Sequence, residues 1–402
     1  MTGPVAGLVT GAAGAAAGGD LADRVRSRLT GPVEPAAVAE AARAEGVVLG
    51  AAALLRLVDD VRARVTGAGP LQPLLALEGV TDVLVNGGGR VWVDDGSGLR
   101  PAGVEVGGEE RVRALAVRLA AGAGRRLDEA SPFVDARLAD GTRLHAVLPP
   151  LAPDGTCISL RVPARRRWRL EQLAAAGAVP DGWLPVLRAV VDARLSVLVS
   201  GGTGTGKTTL LQALLGEVDP GERVVLVEDS GELRPDHPHV VRLEARHDNV
   251  EGRGGVGLDV LVRQALRMRP DRLVVGECRG AEVRDLLAAL NTGHAGGAGT
   301  VHANTAADVV PRLHALAAAA GSAPEAVDAQ LLAGVDAVLH VARRAGRRGL
   351  AEVALVRPTE AGRAGVVAAL QLEDGGSTRH GPGWPVLAAR LGLTGPAGRG
   401  AA

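Results

Sequence analysis

Apolar residues recur at helical spacing in the first part of the chain. They follow the i, i+3, i+4 pattern over 21–29, 36–45 and 50–66, and Gly or Pro separates these runs. From about 71 to 163 the pattern changes to short strand-like runs, with one helical run near 108–123. The pattern therefore predicts a small helical segment followed by an α+β domain.

Strand-like and helix-like runs alternate in the second half of the chain. The predicted strands lie at 195–199, 223–227, 240–243, 272–276 and 298–302. The predicted helices between and after them lie at 206–216, 258–268, 281–291 and 305–319. Such alternation favours an α/β domain with a mostly parallel sheet and helices on both faces. Three further strand-like runs follow, near 335–342, 350–356 and 364–371.

Low-complexity composition marks both ends of the chain. The start is rich in Gly and Ala, and the last thirty or so residues are rich in Gly and Pro. The predicted divisions are a disordered arm at 1–19, a helical preface at 20–68, an α+β N-terminal domain at 69–165, an α/β domain at 166–372 and a flexible tail at 373–402.

Charge and composition exclude several classes of protein. Lys plus Arg and Asp plus Glu both number 45, so the net charge is zero and a strongly basic nucleic-acid-binding surface is not expected. Two cysteines cannot form a disulfide framework or a four-cysteine zinc site. Because no long apolar run and no leader-like start is present, the expected location is the cytoplasm.

A phosphate-binding loop is the strongest motif in the sequence. The segment LSVLVSGGTGTGKTTL has a strand before the motif and a helix after it, as a P-loop requires. Lys207, the only lysine of the chain, is expected to reach the β- and γ-phosphates of ATP, and the Thr208 hydroxyl to bind Mg²⁺. The predicted nucleotide-binding residues are Gly201, Gly202, Thr203, Gly204, Thr205, Gly206, Lys207, Thr208 and Thr209.

Acidic residues follow two of the predicted strands. Glu228 ends the run RVVLVE, and Glu277 ends RLVVGE. Since the carboxyl ends of parallel strands meet at one sheet edge, both carboxylates are expected beside the P-loop, where one binds Mg²⁺ or polarises the attacking water. Asp229 and Glu232 stand close to Glu228, and an alternative role for these two is to cap a following helix.

Two histidines lie in the segment NTGHAGGAGTVHANT. His294 follows a predicted helix and His302 ends the next strand, with the scarce residues Asn291 and Asn304 on either side. No additional Cys or His accompanies them, so a zinc site is not expected. A histidine at the end of a strand is placed to sense the γ-phosphate, whereas the alternative is a structural histidine of the core.

The order of these motifs resembles that of the type II/IV secretion ATPase superfamily. Its characteristic segments are matched by the P-loop, VEDSGEL, EGRGGVGLDVLVRQALRMRPDRLVVGECRG and NTGHAGGAGTVHAN, and the resemblance extends over about 69–356. Within it, the branch of Tad (Flp) pilus and conjugal-transfer-associated ATPases is the most similar, and the zinc module of the general secretory branch is absent. The resemblance implies a RecA-like ATPase domain at 166–372 and a homohexamer whose ATP sites lie between N-terminal and RecA-like domains.

Roles for individual residues follow from this resemblance. It implies that Glu228 orients the attacking water, that Glu277 is the Walker B glutamate and a Mg²⁺ ligand, and that His294 and His302 form the histidine pair; which glutamate orients the water stays open. It also implies that arginines meet the charge of the γ-phosphate, and the candidates are Arg137, Arg143, Arg161 and Arg279.

The predicted function is therefore a hexameric, ATP-hydrolysing motor for pilus assembly or secretion, peripherally attached to the cytoplasmic membrane. The resemblance implies an inner-membrane platform protein as partner. Two alternatives are a conjugal DNA translocase and a nucleotide-gated scaffold with little hydrolysis. The arginine-rich run 165–169, with Trp168, could bind nucleic acid, but the zero net charge favours a solvated linker and direct nucleic-acid binding is not expected.

Overall fold

The computed structural model describes most of the chain. The described residues are 21–29, 33–65, 67–96, 98–163, 167–246, 253–291, 295–344 and 346–393. The predicted arm at 1–19 and the end of the predicted tail lie outside them. The chain divides into two compact units, Met1–Ala164 and Arg165–Ala402. No described helix is both long enough and apolar enough to cross a membrane.

The first unit begins with helices that pack around a small core of their own. Helix α1 covers 21–28, and Val25, Val38 and Val61 are among the fully buried residues that join it to the next two helices. The helices of this unit are α2 (Pro35–Ala44), α3 (Ala51–Val65), α4 (Gln72–Ala76), which follows a 3-10 turn at Gly69–Leu71, and α5 (Glu109–Gly122).

A six-stranded antiparallel sheet forms the rest of the first unit. Its order is β3-β2-β1-β6-β5-β4. Alternate residues of its strands are buried in one core with the apolar face of α5, as expected for a sheet covered on one side. The strands are β1 (Asp82–Val85), β2 (Arg90–Asp94), β3 (Leu99–Glu105), β4 (Phe133–Arg137), β5 (Arg143–Val147) and β6 (Cys157–Arg161).

A nine-stranded sheet is the centre of the second unit. Its order is β15-β14-β13-β12-β7-β11-β10-β8-β9, and all pairs from β12 to β9 are parallel. The remaining pairs are antiparallel. The strands are β7 (Val197–Gly201), β8 (Val224–Glu228), β9 (Val240–Glu244), β10 (Arg272–Cys278), β11 (Ala298–His302), β12 (Ala337–Arg344), β13 (Arg347–Pro358), β14 (Ala364–Leu372) and β15 (Thr378–His380).

Helices cover both faces of this sheet, and each face has its own buried core. The central strands are buried on both sides, which explains their continuous apolar runs such as VVLV before Glu228. The helices are α6 (Leu170–Ala175), α7 (Leu184–Asp192), α8 (Lys207–Leu215), α9 (Leu258–Ala265), α10 (Glu282–Leu290), α11 (Val309–Ala319), α12 (Pro324–Gly334) and α13 (Trp384–Arg390). The predicted α/β class and mostly parallel sheet are confirmed.

The part of the predicted tail that the structure describes differs from the expectation. Residues 378–380 form β15 against β14, and α13 follows it with Leu387 fully buried in the core. Gly381 and Gly383 approach the carbonyl of Ala368 so closely that a side chain there would collide with it. The glycines that resemble a flexible linker in the sequence instead permit close packing of the backbone.

Candidate functional site

Four neighbouring strands bring most of the predicted site residues to one edge of the sheet. The strands β7, β11, β10 and β8 are adjacent, and all four run in the same direction. Gly201 ends β7, His302 ends β11, Glu277 lies near the end of β10 and Glu228 ends β8. Gly201 and His302 are direct partners in the register. Because ligands bind at the carboxyl ends of strands in open α/β sheets, this edge is the candidate site.

The loop after β7 has the backbone conformation that phosphate binding needs. Gly206 has φ of 102° and immediately precedes α8, a left-handed position that favours glycine. A side chain at Gly201 would collide with the carbonyl oxygen of Val341 on β12. Helix α8 starts at Lys207, so its free N–H groups and the positive end of its dipole face the loop.

Lys207 folds back over this loop. Its Nζ donates to the carbonyl oxygens of Gly201 at 3.1 Å and Gly202 at 2.9 Å, and only 8% of the residue is exposed. Burial lowers the pKa of Lys207, while the negative charge of Glu277 raises it. An ammonium group held among carbonyl oxygens is ready to exchange those acceptors for phosphate oxygens.

Glu228 is the most buried carboxylate of the site. Its Oε1 accepts hydrogen bonds of 2.9 Å from the backbone N–H groups of Glu232 and Leu233. Its Oε2 is buried, and no described residue forms a hydrogen bond with it. Burial raises the pKa of Glu228 to about 7, against the effect of the two backbone donors. A buried carboxylate oxygen without a hydrogen-bond partner can accept a hydrogen bond from water or take up a proton.

The neighbouring strand leaves room for this side chain. Gly276 on β10 lies beside Glu228, and a Cβ there would be 2.8 Å from Glu228 Cγ. Sequence patterns give no indication of this requirement, because Gly276 reads as an ordinary glycine within the strand RLVVGEC. The glycine lets the Glu228 side chain lie flat against the sheet edge.

We expect a pH-dependent stability difference between the wild type and Glu228→Gln. The pKa of Glu228 is about 7 in the folded protein, against the ordinary value of 4.5. Ionisation of Glu228 therefore destabilises the fold increasingly as pH rises towards 7, and the effect is complete above that pH. Between pH 5 and pH 8 the free energy of unfolding of the wild type should fall by roughly 2 to 3 kcal/mol relative to that of the variant. Urea unfolding of both proteins without nucleotide measures this, and parallel pH profiles would contradict it.

Glu277 is more accessible than Glu228. Its side chain is 29% exposed, and its Oε2 accepts a hydrogen bond of 2.5 Å from Arg279 Nη2. Its charge also acts on Lys207. Glu277 therefore interacts electrostatically with two other predicted site residues, Arg279 and Lys207.

The three other predicted arginines form a row in the first unit. Arg137, Arg143 and Arg161 are direct neighbours across β4, β5 and β6, so their side chains share the sheet face opposite α5. Arg161 also donates to Asp82 at 3.3 Å on the next strand. The register therefore places the three arginines next to one another on one face of the sheet.

The histidine and acidic segments are only partly described. His302 is half-buried at the end of β11, whereas His294 lies outside the described residues. Among the described part of the chain, no group of three His, Cys, Asp or Glu residues could hold a metal. The capping alternative for Asp229 and Glu232 is wrong, because 229–239 contains no helix; the Glu232 backbone instead binds Glu228.

One buried polar pair beside the P-loop is not predicted from the sequence. Ser200, directly before Gly201, lies 2.9 Å from Nδ1 of His340 on β12, and both residues are buried. The only indication in the sequence is a histidine within the apolar run VDAVLHVA. Its partner depends on β12 pairing with β7, and that strand order cannot be deduced from the pattern alone.

Comparisons with known proteins show the family of this chain. A family model described as "type II/IV secretion system protein" matches residues 64–365. A protein of Mycobacterium tuberculosis (strain H37Rv) that is named for conjugal transfer is 56% identical over 320 residues, covering 78% of this chain and 91% of that protein. The type IV secretion system protein PtlH of Bordetella pertussis is 36% identical over 269 residues, covering 60% of this chain and 78% of PtlH.

Among solved structures, the VirB11 ATPase from the Brucella suis type IV secretion system, crystallised with sulphate, is similar to this chain. The two are 27% identical with a TM-score of 0.37, and the match covers 71% of this chain and 94% of the VirB11 chain.

Proposed function

The chain belongs to the type II/IV secretion system protein family, and we propose that it is a motor that hydrolyses ATP to power assembly of a Tad/Flp-type pilus or a type II/IV secretion apparatus. One observation carries the proposal. The P-loop, two glutamates and a histidine lie at the carboxyl ends of four adjacent parallel strands. This arrangement can bind a triphosphate and activate water beside it.

In the proposed reaction, water attacks the γ-phosphorus, the bond to the β-phosphate oxygen breaks, and ADP and phosphate leave. Backbone N–H groups of the loop and Lys207 bind the phosphates and stabilise the developing charge. The ionised Glu228 accepts a hydrogen bond from the attacking water through its free Oε2. A pKa of about 7 allows that carboxylate to take a proton as the attack proceeds.

Mg²⁺ fits the oxygen donors of this site. Magnesium is commonly bound through one or two protein oxygens together with phosphate oxygens and water. The Thr208 hydroxyl at the start of α8 and the partly exposed Glu277 carboxylate supply such donors. When bound, the ion neutralises charge on the phosphates.

The proposal includes a homohexamer that docks on a platform protein at the membrane. In that assembly Arg137, Arg143, Arg161 and Arg279 would add positive charge to the γ-phosphate, as the family resemblance implies. The row of three arginines across neighbouring strands supports this role.

Conjugal DNA transfer is a second candidate function. The 56% identical relative carries that name, which favours it. The zero net charge offers no general attraction for DNA. Stimulation of ATP turnover by single-stranded DNA would favour the second candidate over the first.

We expect the full chain to form hexamers when nucleotide is bound. Sedimentation velocity at micromolar concentration, with Mg²⁺ and a nonhydrolysable ATP analogue, checks this. ATP turnover per chain should rise with concentration over the range in which hexamers form. A monomer with analogue bound would contradict the ring.

A further inference from the structure

His340 is a buried titratable residue that the proposed reaction does not use. It lies on β12 and is only 6% exposed. Its Nδ1 is 2.9 Å from the Ser200 hydroxyl, and the two residues are direct partners in the register of β12 and β7. Ser200 is fully buried and immediately precedes the P-loop. A buried polar pair in an otherwise apolar sheet interior is costly unless both partners stay bonded.

Burial lowers the pKa of His340, and the backbone of Asn304, in the segment that follows β11, acts in the opposite direction. The effect of burial favours the uncharged ring. A neutral imidazole has one donor and one acceptor nitrogen, so Nδ1 can either accept from the Ser200 hydroxyl or donate to it.

The segment after β11 has a fixed local structure. Asp308 accepts hydrogen bonds from the Thr305 backbone N–H at 3.0 Å and the Thr305 hydroxyl at 2.8 Å, just before α11 begins. His302, at the other end of the segment, pairs with Gly201 in the register. The segment is therefore short and joins β11 to α11.

Strand β12 also packs tightly on the P-loop. The carbonyl oxygen of Val341 occupies the space that a side chain at Gly201 would need. The start of the loop consequently touches β12 through its backbone at Gly201 and through a side-chain hydrogen bond at Ser200.

We propose that His340 is a positioning residue that holds the start of the P-loop in place through Ser200. The inference rests on the proposed ATP hydrolysis. The hydrogen bond at Ser200 and the backbone packing at Gly201 both fix the start of the loop to β12, so the imidazole helps to set where the loop begins. Loss of His340 should leave nucleotide binding intact and misplace the loop during hydrolysis.

The test compares three full-chain variants with the wild type. His340→Leu keeps the apolar volume and removes the hydrogen bond to Ser200, whereas His340→Gln retains a donor and an acceptor. His314→Leu is the matched control, because His314 bonds with Asp328 at 2.8 Å in the same unit but between α11 and α12. Each variant is measured for ATP turnover, KM for ATP and melting temperature on one sample.

We expect His340→Leu to reduce kcat about tenfold with KM for ATP within about twofold. His340→Gln should recover at least half of the lost turnover. His314→Leu should lower the melting temperature and keep the kcat of the folded protein. If His340→Leu has the kcat of the wild type, or only the loss that His314→Leu shows, the positioning role is wrong.

Ser200→Ala completes a double-mutant cycle. In a coupled pair, Ser200→Ala combined with His340→Leu should cost much less than the product of the two single losses in kcat. Independent effects would overturn the proposal. Failure of the proposed function is distinguishable, since the wild type itself would then show no turnover.

Discussion

Lys207→Met is expected to abolish ATP hydrolysis, with a loss of at least about a thousandfold. The variant keeps the buried alkyl stem and removes the ammonium group that now bonds the Gly201 and Gly202 carbonyl oxygens. Without that charge, the loop cannot neutralise the β- and γ-phosphates. Binding of a fluorescent ATP analogue and release of phosphate, measured together, check the expectation.

The stability of this variant provides its control. Because burial lowers the pKa of Lys207, the charged form destabilises the empty protein, and an apolar residue there should not lower the melting temperature. A folded, inactive Lys207→Met protein would attribute the loss to the missing charge. Retained hydrolysis in the folded variant would remove the P-loop from the reaction.

Glu277→Gln should lower ATP turnover by about 10² to 10³ while ATP binding is retained. The substitution keeps the shape of the side chain and removes the negative charge that faces Lys207 and Arg279. The charge matters for holding Mg²⁺ and for the developing transition state, whereas the loop itself binds the phosphates. The exposed residue Glu360 gives a matched control, since Glu360→Gln should turn over like the wild type.

The affinity for a nonhydrolysable ATP analogue and the steady-state ATP turnover distinguish a loss of binding from a loss of hydrolysis. An affinity within a few-fold of the wild type, with turnover lost, is the expected pair of results. Unchanged turnover in Glu277→Gln would show that this carboxylate does not act in hydrolysis, and Glu228 would then be the remaining acidic candidate.

The sequence predicts the position of a candidate site residue well where that residue ends a strand. The P-loop and the strands before Glu228, Glu277 and His302 are visible as apolar runs that stop at a polar residue. Parallel strands align these ends automatically, so no contact has to be known in advance. The fold class follows from the same alternation of strands and helices.

Features that depend on which strands pair are hidden from the sequence. The bond between Ser200 and His340 exists because β12 lies next to β7, although they are far apart in the chain. The row of Arg137, Arg143 and Arg161 depends on register, since a shift by one residue would turn a strand's side chains to the other face. Helix α13 is not predicted from the sequence, because the glycines before it resemble a flexible linker, whereas in the structure they permit close packing.

The fate of bound ATP tests the central claim most directly. The full wild-type chain is loaded with γ-labelled ATP in the presence of chelator, Mg²⁺ is then added, and labelled phosphate is followed over one turnover. The account predicts phosphate release that depends on Mg²⁺ and is absent from Lys207→Met. Recovery of intact ATP from the wild type, bound and unhydrolysed after Mg²⁺ addition, would contradict the motor and leave a nucleotide-gated scaffold.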